Sequence, residues 1–233
     1  SVSGLTTTGA TVLAGLDTLP ESILFYRQLL QWLGGIGIIV LAVAVLPMLG
    51  IGGVQLYRAE STGPAKDSKL TPRITSTAKA LFSIYLGLTI ACAAAYYLAG
   101  MSAFDAISHA FSTIAIGGFS THDASMGYFQ SDVILLIACL FMLISAVNFG
   151  LHFVAFSKRN PGIYRFDSET KFFSGVLLIS TIVTCITLVA MGTLSADKAI
   201  IHGLFQTVSI ATTTGYASAV SYTHLRAHET RPY

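Results

Sequence analysis

Apolar residues gather along this chain in long runs separated by short polar stretches. Four runs reach the roughly 20 predominantly apolar residues that a helix needs to cross a bilayer: about Ile23 to Tyr57, Ala78 to Ala99, Val133 to Phe156 and Phe172 to Met191. The first is long enough to overshoot, tilt or break near Pro47 and Gly50. Two shorter apolar pieces, AFDAISHAFSTIAI at 103–116 and ADKAIIHGLFQTVSIA at 196–211, are too short to cross. Each runs straight into a glycine-bearing stretch, GGFST or TTTGYAS. Apolar segments of that length beside a membrane are re-entrant candidates. Irregular backbone at membrane depth survives only where protein or a water-filled cavity satisfies it.

The polar stretches are of two kinds. Arg58, Lys66, Lys69, Arg73 and Lys79 lie between the first two runs, and Lys158, Arg159, Arg165 and Lys171 between the last two. The positive-inside rule makes these segments cytoplasmic. The opposite side is acid-leaning, with Asp17, Glu21, Asp105, Asp123, Asp132 and Asp197 against Lys198 alone. A unit therefore repeats: spanning helix, short re-entrant helix, glycine loop, spanning helix. Residues 78–156 hold a complete copy, 1–57 the back half of an earlier one and 172–220 the start of a later one. Cytoplasmic loops at 58–77 and 157–171 join them. The expected fold is all-α and transmembrane, pseudo-symmetric about an axis.

Composition strengthens this reading. The 233 residues are 53% hydrophobic and 10% charged, where soluble domains carry about 25% charge. A net charge of +2 with no basic stripe argues against a nucleic-acid partner. Cys92, Cys139 and Cys185 all lie inside apolar runs without metal-ligand spacing, as small buried hydrophobes do.

Three loops carry the candidate chemistry. Aligned on glycine, they read TTTGAT at Thr6–Thr11, AIGGFST at Ala115–Thr121 and TTTGYAS at Thr212–Ser218. Threonine and glycine are poor choices for regular helix. They suit a cation filter, in which backbone carbonyls replace the hydration shell of the ion. Glycine admits the positive φ such a turn needs, and threonine hydroxyls bond locally to hold it. The preceding short helices end at the loops, so their negative C-terminal ends face a cation.

These residues resemble the TrkH/TrkG group of bacterial potassium-uptake proteins, within the wider Trk/Ktr/HKT superfamily. The resemblance rests on TTTGATV near the start, LLQWLGGIGIIVLAVAVLPMLGIGG at 29–53, QLYRAE at 55–60 and FSTIAIGGFSTHDAS at 111–125. It implies four pseudo-repeats with a voltage-gated-ion-channel-like pore architecture around one K+ pathway. By position it implies filter residues Thr7, Thr8 and Gly9, then Ile116, Gly117 and Gly118, then Thr213, Thr214 and Gly215. It further implies a homodimer, a cytoplasmic nucleotide-binding regulatory subunit of the TrkA type and a bacterial inner-membrane location. K+ is then the transported ligand, and no cofactor is expected.

The chain departs from that pattern at both ends. It opens inside the first loop motif, without an initiating Met, as a truncated N-terminus would. Residues 221–233, SYTHLRAHETRPY, turn polar where another apolar helix is due, and read as non-native sequence joined near Val220.

Other residues admit two readings. His109 and His202, in the short helices, either tune the pore or pack behind the loops. Asn148 and His152 share a face of the third run, four residues apart, as functional intramembrane groups or as interhelical bonding partners. His122 and Asp123 belong at the outer mouth, drawing cations or simply solvated. Arg27, with Gln28 and Gln31, sits at the outer boundary or braces the filter from behind. Arg58 and Glu60 form an interfacial pair. Gly34, Gly35 and Gly37 follow no strand, which favours close helix packing over a phosphate loop. An intramembrane enzyme would need a nucleophile–base or carboxylate pair at membrane depth, and the runs offer neither. A purely structural subunit would leave the repeated loops without a purpose.

Overall fold

The computed structural model describes residues 1–41, 70–192 and 195–218. The described residues contain eight α-helices and no strand: α1 (Val2–Leu5), α2 (Glu21–Val40), α3 (Leu70–Leu98), α4 (Ala103–Ile114), α5 (Asp132–Ala146), α6 (Phe149–Lys158), α7 (Ser168–Ala190) and α8 (Ala196–Ala211). The break expected near Pro47 and Gly50, the Arg58–Glu60 pair and the tail at 221–233 lie outside the described residues.

Helix starts follow from local chemistry. Ser102 caps α4: its hydroxyl oxygen accepts from the Asp105 N–H, while the hydroxyl donates to the Asp105 carboxylate at 2.7 Å. Asp167 caps α7 by accepting from the Thr170 N–H at 2.7 Å. Helix α3 begins at Leu70, eight residues before the expected start of the second span. Pro72 does not prevent this, because a proline in a first helical turn gives up an N–H that has no intrahelical partner.

The third span is a correction. It was expected as one helix from Val133 to Phe156, but α5 and α6 meet at an angle of 86°. Val147 is extended (φ −71°, ψ 141°). Asn148 then caps a new helix by accepting from the Gly150 N–H at 2.9 Å. Asn148 and His152 therefore do not share the face of one continuous helix. Instead the His152 Nε2 meets the Ile144 carbonyl at 2.9 Å, which also accepts from the Val147 N–H at 3.3 Å. Helices α2, α7 and residues 76–98 of α3 are long and apolar enough to cross a membrane, and α5 with α6 makes a fourth span if counted as one.

The short helix α4 lies at the centre, with Ala106, Ser108, His109, Ala110, Ser112, Thr113 and Ile114 all buried. Tyr85 and Tyr96 of α3 pack in the same core and place their hydroxyls on the Trp32 carbonyl (3.0 Å) and the Thr113 Oγ1 (2.9 Å). Helix α2 closes against this core through small residues. A Cβ built on Gly34 would lie 1.9 Å from the Leu5 carbonyl, and one on Gly35 would lie 2.6 Å from the Tyr85 hydroxyl. Close helix packing is thus the use of these two glycines. Helix α7 turns Val176, Ile179, Val183 and Ile186 outward, an apolar face suited to lipid.

Candidate ion-coordinating site

Three helices, α1, α4 and α8, each end in a residue of left-handed conformation. After α4, the Ile116 N–H donates to the Thr113 carbonyl (3.1 Å) and the Gly117 N–H to the Ser112 carbonyl (2.9 Å). After α1, Thr7 and Thr8 donate to Gly4 and Ser3 at 3.0 Å each. After α4 and α1 this is the Schellman closure, whose first residue past the cap takes a left-handed conformation and is usually glycine; after α8 the Thr213 N–H donates to the Ile210 carbonyl (2.9 Å), but it is the Gly215 N–H that reaches the Ser209 carbonyl (3.2 Å). The left-handed residue is Thr7 (φ 54°), Ile116 (φ 53°) or Thr213 (φ 62°). Left-handed β-branched residues are outliers, costing about 1–3 kcal/mol each, and they gather at functional sites.

Two residues later φ is positive again, at Gly9 (75°), Gly118 (74°) and Gly215 (83°). The residues between, Thr8, Gly117 and Thr214, are not positive. Alternating hands keep each loop out of both helix and strand, so its carbonyls join no regular ladder. Among the described residues, nothing donates to the carbonyls of Thr7, Thr8, Gly9, Ile116, Gly118, Thr213, Thr214 or Gly215. Of these eight residues only Thr214 is buried, so most of the unclaimed oxygens border open space, where an ion or water can reach them. The Gly117 carbonyl differs, because it accepts from the Gln31 Nε2 at 2.7 Å.

The loops converge. A Cβ built on Gly9 would lie 2.2 Å from the Gly117 carbonyl oxygen and 3.7 Å from that of Thr214. A Cβ on Gly118 would lie 1.8 Å from the Thr214 carbonyl oxygen. Loop one abuts loop two, and loop two abuts loop three. Among the described residues nothing comes within 4 Å of a Cβ on Gly215, so the far side of loop three is open. All nine residues singled out from the sequence are therefore gathered in one place.

Side chains fix the loops from behind. In the first and third, a serine reaches the carbonyl seven residues on: Ser3 to Ala10 at 2.9 Å and Ser209 to Tyr216 at 2.7 Å. Thr6 and Thr212 each bond a helix carbonyl four residues back and, at 2.7 Å, the Oγ1 of Thr8 or Thr214. The serines were missed in the sequence. Their signal was a serine six positions before each loop glycine, at Ser3, Ser112 and Ser209.

Helix α2 braces the second loop. Buried Gln28 donates to the Phe119 carbonyl at 3.0 Å, and buried Gln31 to the Gly117 carbonyl. The Arg27 guanidinium lies 4.4 Å over the Phe119 ring and donates to the Thr11 hydroxyl at 3.1 Å. Of the two readings for Arg27, the brace is the one observed. His109 (2.9 Å to the Asp105 carbonyl, 3.0 Å to Ser120) and His202 (2.9 Å to Ser218) pack behind the loops.

On the acidic side, half-buried His122 sits between two carboxylates, Asp17 from the first loop's trailing segment and Asp105 from the start of α4. Its ring stacks 3.4 Å from that of Tyr128. Burial pulls the imidazole pKa down, but the hydrogen bonds to Asp105 and Asp17 outweigh it, and the value is raised. The His122 hydrogen bond lowers that of Asp17. Burial opposes ionisation of Asp105, yet bonds from His122, Thr121 and Ser102 hold its pKa below the usual carboxylate range. His122 is thus neither solvated nor free; it ties the first loop to the second.

Comparison with known proteins agrees with this geometry. The cation transport protein model TrkH matches residues 1–229. The Trk system potassium uptake protein TrkH of Vibrio parahaemolyticus is 61% identical over 221 residues, covering 94% of this chain and 46% of that protein. TrkG of Escherichia coli K12 is 46% identical over 217 residues, 93% of this chain and 45% of that protein. The crystal structure of the potassium transporter TrkH from Vibrio parahaemolyticus superposes with a TM-score of 0.83 at 56% identity, covering 94% of this chain and 44% of that one. The chain thus spans somewhat under half the length of the curated relatives it matches. By the family model and these relatives together, the chain belongs to the TrkH family of cation transport proteins.

Proposed function

We propose that the full protein carrying this chain takes up potassium across the bacterial inner membrane, as the multi-pass K+-translocating subunit of a Trk-type system. K+ is coordinated by backbone oxygens of the loops at Thr7–Gly9, Ile116–Gly118 and Thr213–Gly215, with a fourth loop supplied by the rest of the protein. The observation that carries this reading is the set of eight unclaimed carbonyls on three converging loops, each at a helix C-terminus. A carbonyl ring suits a monovalent cation, because dipoles replace the hydration shell without a full charge that would trap the ion. All three loops keep glycine at the third filter position, which favours K+ over Na+.

The mechanism needs no covalent step and no cofactor. Its partners are a second copy of the protein and a cytoplasmic nucleotide-binding subunit of the TrkA type. Support for a multi-component assembly is that the relatives are named as parts of a Trk system. The test is growth and K+ uptake in a potassium-transport-deficient bacterium expressing the full-length gene. Uptake is expected to be restored, and to be lost when Gly118→Ser and Gly215→Ser are combined. Uptake unchanged by that pair contradicts the reading.

A further inference from the structure

We propose that Gln31 is a positioning residue that sets ion selectivity at the second loop, by holding the Gly117 peptide from outside its own repeat. The inference rests on the transport reading above. Its starting point is a difference among three otherwise matching loops. In the first and third, the serine at the end of the short helix braces its own loop, Ser3 on Ala10 and Ser209 on Tyr216. Ser112 occupies the matching place in the second, but its hydroxyl donates to the Gln31 Oε1 at 2.7 Å. The Phe119 carbonyl, which an internal brace would reach, accepts from Gln28 instead. The second loop also lacks the paired threonines of the other two, having Ala115 and Gly117 in their places.

Gln31 fills that gap with both ends of one amide. Its Nε2 donates to the Gly117 carbonyl at 2.7 Å, and its Oε1 accepts from Ser112 and, at 3.3 Å, from the Phe119 N–H. The side chain is fully buried. It also fills the space beside Gly117, where a built Cβ would lie 2.4 Å from its amide carbon. A planar amide held at three points has no freedom to rotate, so the Gly117 peptide has none either. The Gly117 carbonyl abuts Gly9, so its orientation sets the spacing between the first and second loops. Selectivity by carbonyl dipoles depends on that spacing and on how many oxygens face the ion.

The experiment measures K+ and Na+ uptake by the full-length protein in a transport-deficient host, with membrane abundance checked by immunoblot. Gln31→Glu keeps the acceptor for Ser112 and Phe119 but replaces the donor to Gly117 with a carboxylate oxygen. The K+/Na+ uptake ratio is expected to fall about tenfold, the worth of one lost net hydrogen bond at the upper end. It recovers towards acidic external pH, where a protonated carboxyl donates again, and a merely structural role would not produce that recovery. Ser112→Ala, a milder change, lowers the ratio by a smaller factor and decides the matter if Gln31→Glu does not reach the membrane. A wild-type ratio in abundant Gln31→Glu at alkaline as well as neutral external pH overturns the proposal, because burial favours the protonated carboxyl at neutral pH, as does a wild-type ratio in Ser112→Ala should that variant have to decide. Failure of the unaltered full-length protein to take up K+ would instead overturn the transport reading itself.

Discussion

Among the described residues at positive φ, the three β-branched ones, Thr7, Ile116 and Thr213, cost the most backbone strain. A glycine at Ile116 would relax the backbone, and Ile116→Gly is expected to gain about 1 kcal/mol of stability, read as a raised unfolding temperature. The same change frees the loop, so its K+/Na+ ratio should fall. Higher stability with unaltered selectivity would show that the strain has no function. Glycines at the site and away from it should respond in opposite ways. Gly118→Ser forces a Cβ into the Thr214 carbonyl at positive φ and is expected to abolish uptake. Among the described residues, Gly37→Ala in α2 meets nothing within 4 Å. It should leave uptake unchanged and add about 0.5–1 kcal/mol of stability, read from thermal unfolding.

At the scale of elements, two joints stand out. The His122 bridge between the first and second loops responds to pH with a definite sign. His122 holds its proton more tightly in the fold, so its contribution is complete below the ordinary histidine value of 6.5 and fades as pH rises through its raised folded value. Asp17 and Asp105 hold theirs less tightly, so their contribution is complete above the ordinary value of 3.8 and fades as pH falls through their lowered ones. The bridge should therefore be strongest between those two values. Protection of the Asp123 amide, which donates to Asp17 at 3.3 Å, is expected to peak there in hydrogen exchange and to lose its pH dependence in His122→Asn. The second joint is the break between α5 and α6. Asn148→Ala removes its cap and should cost about 1 kcal/mol. His152→Phe removes one of the two donors to the Ile144 carbonyl and should cost about 0.5–1.5 kcal/mol.

These joints also mark how far the sequence could be read. The short helices were legible almost to the residue, because 103–116 and 196–211 are short apolar runs that lead straight into a glycine loop; α4 and α8 end within two residues of those bounds. The break at Val147 was not, since it hangs on one capping asparagine inside an unbroken apolar run. The three loops were legible because their pattern repeats, and the family resemblance then singled out nine residues within them. The braces from Gln28 and Gln31 were left open between two roles, because they act across 91 and 86 residues of sequence, and no local signal records such a contact.

The described residues are organised around short helices that end inside the protein, with long apolar helices around them. Tyr216 illustrates the coupling: it belongs to the third loop, yet it is buried beside α4, with its hydroxyl 3.3 Å from the His109 carbonyl. Loops drawn from opposite ends of the sequence thus become one surface of oxygens. The most direct test is an anomalous difference map from crystals of the full-length protein soaked in Rb+, a heavier mimic of K+. A peak is predicted on the common axis of the loops, bordered by the backbone of Gly9, Gly118 and Gly215. Ordered loops with no peak between them, or a peak held by side-chain carboxylates elsewhere, would contradict the account.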